Sequence, residues 1–246
     1  EAVTDGLTSP PKYFFEDARI NKTGYNPVDE VIATNAHALT VAEVEAAVQQ
    51  GALILDTRAA DVFEKGFIPG SLNIGLNGMF AVWVGTLVDI DQSLVLVTDP
   101  GKEEETVLRL ARVGYEKVSG YLNGGIQTWI TAGKAIETVT SIEPEHIATY
   151  YGNADYIILD VRKPSEYETE HIKGAINIQL SEISARLGEL NLEKKYIVHC
   201  AAGYRSMMAA SIMKAHGLHN FTNVVNGWNG IKKTDLPKLS SVPEPI

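Results

Sequence analysis

The feature that most constrains the fold of this chain is an internal repeat. The stretches Ile54–Phe63 and Phe67–Ile74 recur 104 positions later, and Leu122–Ile126 recurs in part 102 positions later. A pattern that repeats at a nearly fixed offset over such a span indicates two homologous structural units. The chain has 246 residues. Each unit therefore has the size of an ordinary domain.

Each copy alternates apolar strand patterns with amphipathic helix patterns. A capping box between Thr40 and Glu43 opens the first helix of the first copy. The patterns predict helices over 40–50, 103–113, 180–190 and 206–216, and strands over 52–56, 94–97, 156–160 and 196–199. Strands that alternate with helices predict an α/β fold, in which helices cover both faces of a parallel sheet.

Cys200 is the only cysteine of the chain, and it directly follows a buried strand. A short loop that contains Gly203 and Arg205 leads from Cys200 into a helix that Gly217 ends. Backbone N–H groups converge at such a turn, and the helix dipole adds partial positive charge, so a thiolate is favoured there. A lone cysteine is more often a small buried hydrophobic residue. The strand–loop–helix context favours a reactive thiol instead.

The string Cys-Ala-Ala-Gly-Tyr-Arg-Ser that begins at Cys200 resembles the active-site loop of the rhodanese sulfurtransferases, Cys-x-x-Gly-x-Arg. The stretches Leu159–Arg162, Glu166–Tyr167 and His171–Ile178 resemble the same family's N-terminal signature. The resemblance implies two rhodanese-like domains, each a parallel five-stranded sheet flanked by helices. It also implies a thiosulfate sulfurtransferase that moves a sulfane sulfur from thiosulfate or a low-molecular-weight persulfide to a thiol or cyanide.

In that family a cysteine persulfide carries the sulfur, so the resemblance makes Cys200 the catalytic residue. The backbone N–H groups of the loop would bind the negative sulfur of the substrate. These substrate-binding residues are Ala201, Ala202, Gly203, Tyr204, Arg205 and Ser206. Arg205 is the fixed positive charge of the loop and would receive an anionic donor. The alternative is that Arg205 clamps loop carbonyl groups.

Other polar residues near the loop are expected to be structural. His199 adjoins Cys200 on a strand, so the two side chains should point to opposite faces. Asp160 and Arg162 are expected to form a structural pair, and Glu166 and His171 to fix the loop before Gly174. Trp129 and Trp228 are expected to be core or interface residues.

The first copy lacks a thiol at the matching turn, where Asp99 or Thr98 stands. Glu103, Glu104 and Glu105 open the next helix there and would repel an anionic substrate, and the turn is expected to be shorter. The first copy is therefore predicted to be catalytically inactive. The predicted division is an N-terminal arm over 1–37, an inactive domain over 38–132, a linker over 133–141 and an active domain over 142–246.

The N-terminal arm carries a second, shorter resemblance. Ser9–Phe15 and Arg19–Lys22 resemble the C-terminal tail of a metallo-β-lactamase-fold persulfide dioxygenase domain. In some bacterial proteins that domain precedes an inactive and then an active rhodanese domain. The resemblance implies an upstream dioxygenase domain as a partner. The alternative is an arm that packs its aromatic residues on the first domain.

Composition excludes several classes of function. The net charge is −10, with 31 acidic and 21 basic residues, which argues against a nucleic acid partner. No apolar run reaches the length of a membrane span. One cysteine cannot form an internal disulfide, so a reducing, cytoplasmic location is expected. The six histidines show no metal-ligand spacing, so neither a metal nor a cofactor is expected. Expected partners are a small anionic sulfur donor, a thiol acceptor, and the upstream domain or a second copy.

Two other functions remain open. A phosphatase of the Cdc25 type shares the implied fold, but its loop carries five residues between the cysteine and the arginine. Here four residues separate Cys200 from Arg205, and a smaller ring of amides suits one sulfur atom better than a phosphoryl group. The second alternative is a non-catalytic docking module.

Overall fold

The computed structural model describes residues 27–241. The segment compared with the dioxygenase tail lies outside these residues. Up to residue 132 the elements are α1 Val28–Asn35, β1 Ala38–Leu39, α2 Val41–Gln49, β2 Leu53–Asp56, α3 Ala60–Phe63, β3 Leu72–Asn73, α4 Phe80–Leu87, β4 Leu94–Val97, α5 Glu103–Ala111, β5 Val118–Leu122 and α6 Gly125–Thr131.

The same order of elements returns in the second half of the chain. Its elements are β6 Ser141–Ile142, a 3₁₀ helix Pro144–Thr149, β7 Tyr156–Asp160, α7 Pro164–Thr169, β8 Glu170–Ile172, β9 Ile176–Asn177, a 3₁₀ helix Leu180–Glu182, α8 Ile183–Arg186, a 3₁₀ helix Leu187–Glu189, β10 Lys195–His199, α9 Tyr204–Ala215, β11 Phe221–Val224, α10 Gly227–Ile231 and β12 Lys238–Ser240.

These elements form two parallel five-stranded sheets of the same topology. The order is β1-β5-β4-β2-β3 in the first domain and β6-β11-β10-β7-β9 in the second. The predicted fold class is therefore confirmed. The central strand β4 is buried along its whole length, as parallel strands covered on both faces are. A small antiparallel pair of β12 with β8 is added to the second domain.

Local sequence signals account for some helix boundaries. At α2, the Glu43 N–H donates to Thr40 Oγ1 at 3.3 Å and the Thr40 N–H donates to Glu43 Oε2 at 2.8 Å, so the predicted capping box is confirmed. The helix predicted over 180–190 is wrong, because the segment contains one α turn between two 3₁₀ turns. Leu180 and Ile183 are buried three positions apart, which matches three residues per 3₁₀ turn.

The two domains meet in one hydrophobic cluster, and each domain also has a smaller cluster of its own. The largest cluster of buried residues contains strand and helix residues from both halves of the chain. Helix α9 lies at its centre, and every residue from Ser206 to Met213 is buried. The Asn73 N–H of β3 donates to Ser211 Oγ at 3.1 Å, which ties α9 to the edge of the first sheet.

The stretch between the domains packs on the first of them. Phe67 and Glu137 exchange two backbone hydrogen bonds of 2.9 Å, and the Val139 N–H donates to the Glu64 carbonyl. Over residues 27–241, none of the helices has the length and apolar character needed to cross a membrane.

Candidate active site

Cys200 stands at the carboxyl end of β10, where the chain turns into α9. Gly203 has a left-handed φ of 95°, which glycine adopts without a Cβ clash, and α9 begins at the next residue. This turn brings the Gly203 N–H to 3.2 Å from Cys200 Sγ. The thiol is enclosed, since Cys200 is only 1% exposed. A backbone donor at a helix N-terminus therefore faces the sulfur.

The following segment fixes the other side of the loop. The Trp228 N–H donates to the Cys200 carbonyl at 2.7 Å, and the Asn229 N–H donates to the Ala201 carbonyl at 2.9 Å. These bonds require the backbone of Gly227 to lie against Cys200. A Cβ atom at Gly227 would lie 2.9 Å from the Cys200 carbonyl carbon. The loop carbonyls are thus occupied by the start of α10.

Arg205 is bound by a carboxylate of its own domain. Its Nη1 and Nη2 donate to the two oxygens of Glu166, on α7, at 2.6 and 2.8 Å. The hydrogen bonds from Arg205 lower the pKa of Glu166, and the hydrogen bonds to Glu166 raise the pKa of Arg205. The loop therefore carries a bidentate ion pair rather than a free cation. The sequence predicts that Arg205 either receives an anionic sulfur donor or clamps loop carbonyl groups, and neither role includes this ion pair. Glu166, which is predicted to fix the loop before Gly174, also binds Arg205.

The other predicted loop residues serve different partners. The Ser206 hydroxyl is buried and donates to the Gly203 carbonyl at 3.2 Å. Tyr204 turns toward the first domain, where its hydroxyl donates to the Gly75 carbonyl at 2.8 Å. Ala201 is partly buried and Ala202 is exposed. In the described structure, Gly203 is thus the loop residue whose N–H meets the sulfur.

Asp160 and Arg162 form the expected structural pair. Arg162 donates to both oxygens of Asp160 and also to the Glu170 carbonyl at 2.8 Å. The first domain contains the same arrangement between Arg58 and Asp56. Because both domains contain this pair, we infer that it holds the loop that follows the strand, and no catalytic role is needed to explain it.

His199 is buried on the face of β10 that packs against Trp228, with ring centroids 6.2 Å apart. Its Nδ1 donates to the Cys200 carbonyl at 3.3 Å. Burial lowers the pKa of His199, so the ring is neutral near pH 7. Cys200 itself joins the core cluster on the other face of the sheet. The expectation that these neighbours point to opposite faces is confirmed.

His171 also behaves as expected. Its ring stacks on Tyr167 with centroids 3.8 Å apart, and the Tyr167 hydroxyl donates to the Ala175 carbonyl. These contacts fix the loop on either side of Gly174. Trp129 and Trp228 are both buried, as expected for core residues.

The register of the strands identifies the counterpart of Cys200 in the first domain. Val97 pairs with Asp56 just as His199 pairs with Asp160, so the next residue, Thr98, corresponds to Cys200. Helix α5 starts five residues after Thr98, whereas α9 starts four residues after Cys200. The expectation of a shorter turn is therefore wrong. The helix itself is shorter, with 9 residues against 12.

The repeat also identifies the residues of the first domain that correspond to Arg205 and Glu166. At the matching offsets, Glu103 stands in place of Arg205 and Val62 in place of Glu166. Both partners of the ion pair and the thiol thus differ together. Because both partners of the ion pair differ between the two copies, a comparison of the copies is the sequence signal from which the pair could have been inferred. Within residues 27–241, no cluster of His, Cys, Asp and Glu side chains could hold a metal ion.

The family model for the rhodanese-like domain matches residues 40–132 and again 143–234. The chain therefore belongs to the rhodanese-like domain family and contains two such domains in tandem. Sulfurtransferase chemistry is the function supported at this level.

Individual relatives match parts of the chain. YrkF of Bacillus subtilis is 45% identical over 76 residues, which are 30% of this chain and 41% of YrkF. YqhL of the same organism is 31% identical over 43% of this chain and 82% of its own length. Thiosulfate sulfurtransferase PspE of Escherichia coli is 37% identical over 33% of this chain and 76% of its own length. The chain thus spans less than half of YrkF but most of the two smaller relatives.

Proposed function

We propose that the second domain transfers a sulfane sulfur through a persulfide on Cys200. The observation that carries this proposal is the Gly203 N–H directed at Cys200 Sγ at 3.2 Å. A hydrogen-bond donor in that place stabilises negative charge on the Cys200 sulfur, both when the thiolate attacks the donor and when it leaves from the persulfide. The N-terminus of the 12-residue helix α9 adds partial positive charge at the same point.

The proposed reaction has two displacement steps. The Cys200 thiolate attacks the outer sulfur of the donor, and a new sulfur–sulfur bond forms. The donor's own sulfur–sulfur bond breaks, and its electron pair leaves with sulfite from thiosulfate or with a thiolate from a persulfide. In the second step a thiol or cyanide attacks the outer sulfur of the persulfide, and Cys200 leaves as the thiolate. No net oxidant or reductant is needed.

The length of the Cys200 loop supports this reaction over phosphatase chemistry. Four residues separate Cys200 from Arg205, and a smaller ring of amides suits one sulfur atom better than the three oxygens of a phosphoryl group. The pair with Glu166 uses two of the five N–H donors of the Arg205 guanidinium, so the other donors stay available to an anionic sulfur donor.

The test is a mass spectrum of the intact protein after exposure to thiosulfate and, separately, to glutathione persulfide. We expect one added sulfur on Cys200, which a later incubation with cyanide or a thiol removes. Hydrolysis of p-nitrophenyl phosphate without any sulfur adduct would overturn the proposal in favour of a phosphatase. If the protein forms no sulfur adduct and also hydrolyses no p-nitrophenyl phosphate, the result would favour a docking module.

We also predict different effects for the two partners of the ion pair. Arg205→Ala leaves the Glu166 carboxylate unpaired beside the loop, so thiosulfate use should weaken by about 1.5–3 kcal/mol, measured as kcat/KM. Glu166→Gln removes the negative charge and leaves Arg205 in place, so the KM for thiosulfate should not rise. Equal losses in both variants would mean that the pair is only a structural clamp.

The proposal extends to the first domain. Thr98 cannot form a persulfide, and Glu103 stands where Arg205 would be, so the first domain is proposed to be inactive.

An upstream persulfide dioxygenase domain is proposed from the resemblance of the N-terminal arm. A cytoplasmic location is proposed from the single cysteine. A faster rate with glutathione persulfide than with thiosulfate would support that partner, and the reverse preference would argue against it.

A further inference from the structure

Tyr204 connects the Cys200 loop to the inactive domain. It lies between Gly203 and Arg205, and its hydroxyl donates to the Gly75 carbonyl, 129 positions away, at 2.8 Å. Burial raises the pKa of Tyr204 to about 12, so its hydroxyl remains a donor at any physiological pH. One end of this residue thus belongs to the loop, and the other is bound by the first domain.

The first domain is shaped to receive this ring. A Cβ atom at Gly75 would lie 3.3 Å from Tyr204 Cε2, and one at Gly78 would lie 3.7 Å from Cζ. The backbone at these two glycines therefore lies close against the aromatic ring. A larger side chain at Gly75 would press on it.

The segment that binds Tyr204 is itself held firmly. The Leu76 N–H donates to the Thr57 carbonyl at 2.9 Å, and Arg109 Nη1 donates to the Leu76 carbonyl at 2.6 Å. On the same helix as Tyr204, Ser211 is bonded to Asn73 of the first sheet. Residues seven apart share a helix face, so α9 meets the first domain at two points.

We propose that Tyr204 is a positioning residue through which the inactive domain holds the Gly203 N–H on Cys200 Sγ. This inference rests on the proposed function, because it concerns the same sulfur. Glu166 holds the loop at Arg205 from within the second domain, and Gly75 holds it at Tyr204 from the first domain. With both neighbours fixed, Gly203 has little freedom to move its N–H away from the sulfur.

The test is the pH dependence of Cys200 alkylation by iodoacetamide in the full chain. Tyr204→Phe keeps the ring and removes only the hydroxyl bond. We expect its alkylation rate near pH 7 to fall about three- to tenfold and the midpoint of the rate profile to rise by about half to one pH unit, the worth of one hydrogen bond to the sulfur. Gly75→Ala, made in the other domain, should shift the midpoint in the same direction.

Tyr196→Phe is the matched control. It removes a tyrosine hydroxyl bond of 3.2 Å to the Asn191 carbonyl in the second domain, away from the loop. It should cost similar stability and leave the alkylation midpoint unchanged. Equal midpoints in wild type, Tyr204→Phe and Gly75→Ala would overturn the proposal. Alkylation requires no sulfur transfer, so this result is independent of whether the mass spectrum shows a persulfide.

Discussion

Replacing Cys200 by serine should abolish sulfur transfer from thiosulfate to cyanide, with a loss of at least about a thousand-fold, as for removal of a catalytic nucleophile elsewhere. A serine hydroxyl is a much weaker nucleophile near neutral pH than a cysteine thiol and cannot form a persulfide. Cys200 is the only thiol of the chain, so no other residue can substitute for it. The measurement is steady-state turnover with thiosulfate and, separately, with glutathione persulfide as the sulfur donor.

The fold of this variant should survive, because serine is close to cysteine in size and the Gly203 N–H can still donate to its oxygen. Circular dichroism and a thermal melt check this point. Ala215→Ser is the matched control, since Ala215 is an exposed residue at the far end of α9 and the thiol remains. Turnover that persists in Cys200→Ser would contradict the persulfide mechanism.

Gly227→Ala should produce the largest loss of stability among conservative changes near the site. Gly227 has a left-handed φ of 44°, and a Cβ atom there would overlap the Cys200 carbonyl group. The backbone strain and the overlap together should lower the free energy of unfolding by about 2–4 kcal/mol. Because the overlap displaces Cys200 itself, turnover should fall as well. Urea unfolding and the transfer assay measure the two effects.

Gly217→Ala separates the strain from the overlap. Gly217 also has a left-handed φ, of 79°, but a Cβ atom there would meet nothing within 4 Å. This control should lose only about 1–2 kcal/mol, the cost of the backbone conformation, and should keep its turnover. Equal losses in the two variants would show that the contact between Gly227 and Cys200 is unimportant.

Features that depend on neighbouring residues could be predicted from the sequence. The alternation of strands and helices and the Thr40 capping box are local patterns, and apart from the segment over 180–190 they predicted the correct kind of element. The strand–loop–helix setting of Cys200 also followed from local signals. The segment over 180–190 was misjudged because its apolar spacing fits both an α-helix and successive 3₁₀ turns.

Contacts between distant residues could not be derived in the same way. Glu166 and Arg205 are 39 positions apart, and Tyr204 and Gly75 are 129 positions apart. The packing of the helices and strands decides which carboxylate or carbonyl group a polar side chain binds. Local patterns therefore predicted a charge at Arg205, whereas its carboxylate partner needed a comparison of the two copies.

The packing of α9 on both domains has a consequence for how this duplicated chain can change over time. Deleting the first domain, which has no thiol, would remove its contact with α9 and expose the apolar face of that helix to water. Substitutions at Thr98, Glu103 and Val62 leave that contact untouched. The first domain can therefore vary at the turn that corresponds to the Cys200 loop, while its packing on α9 keeps it joined to the second domain.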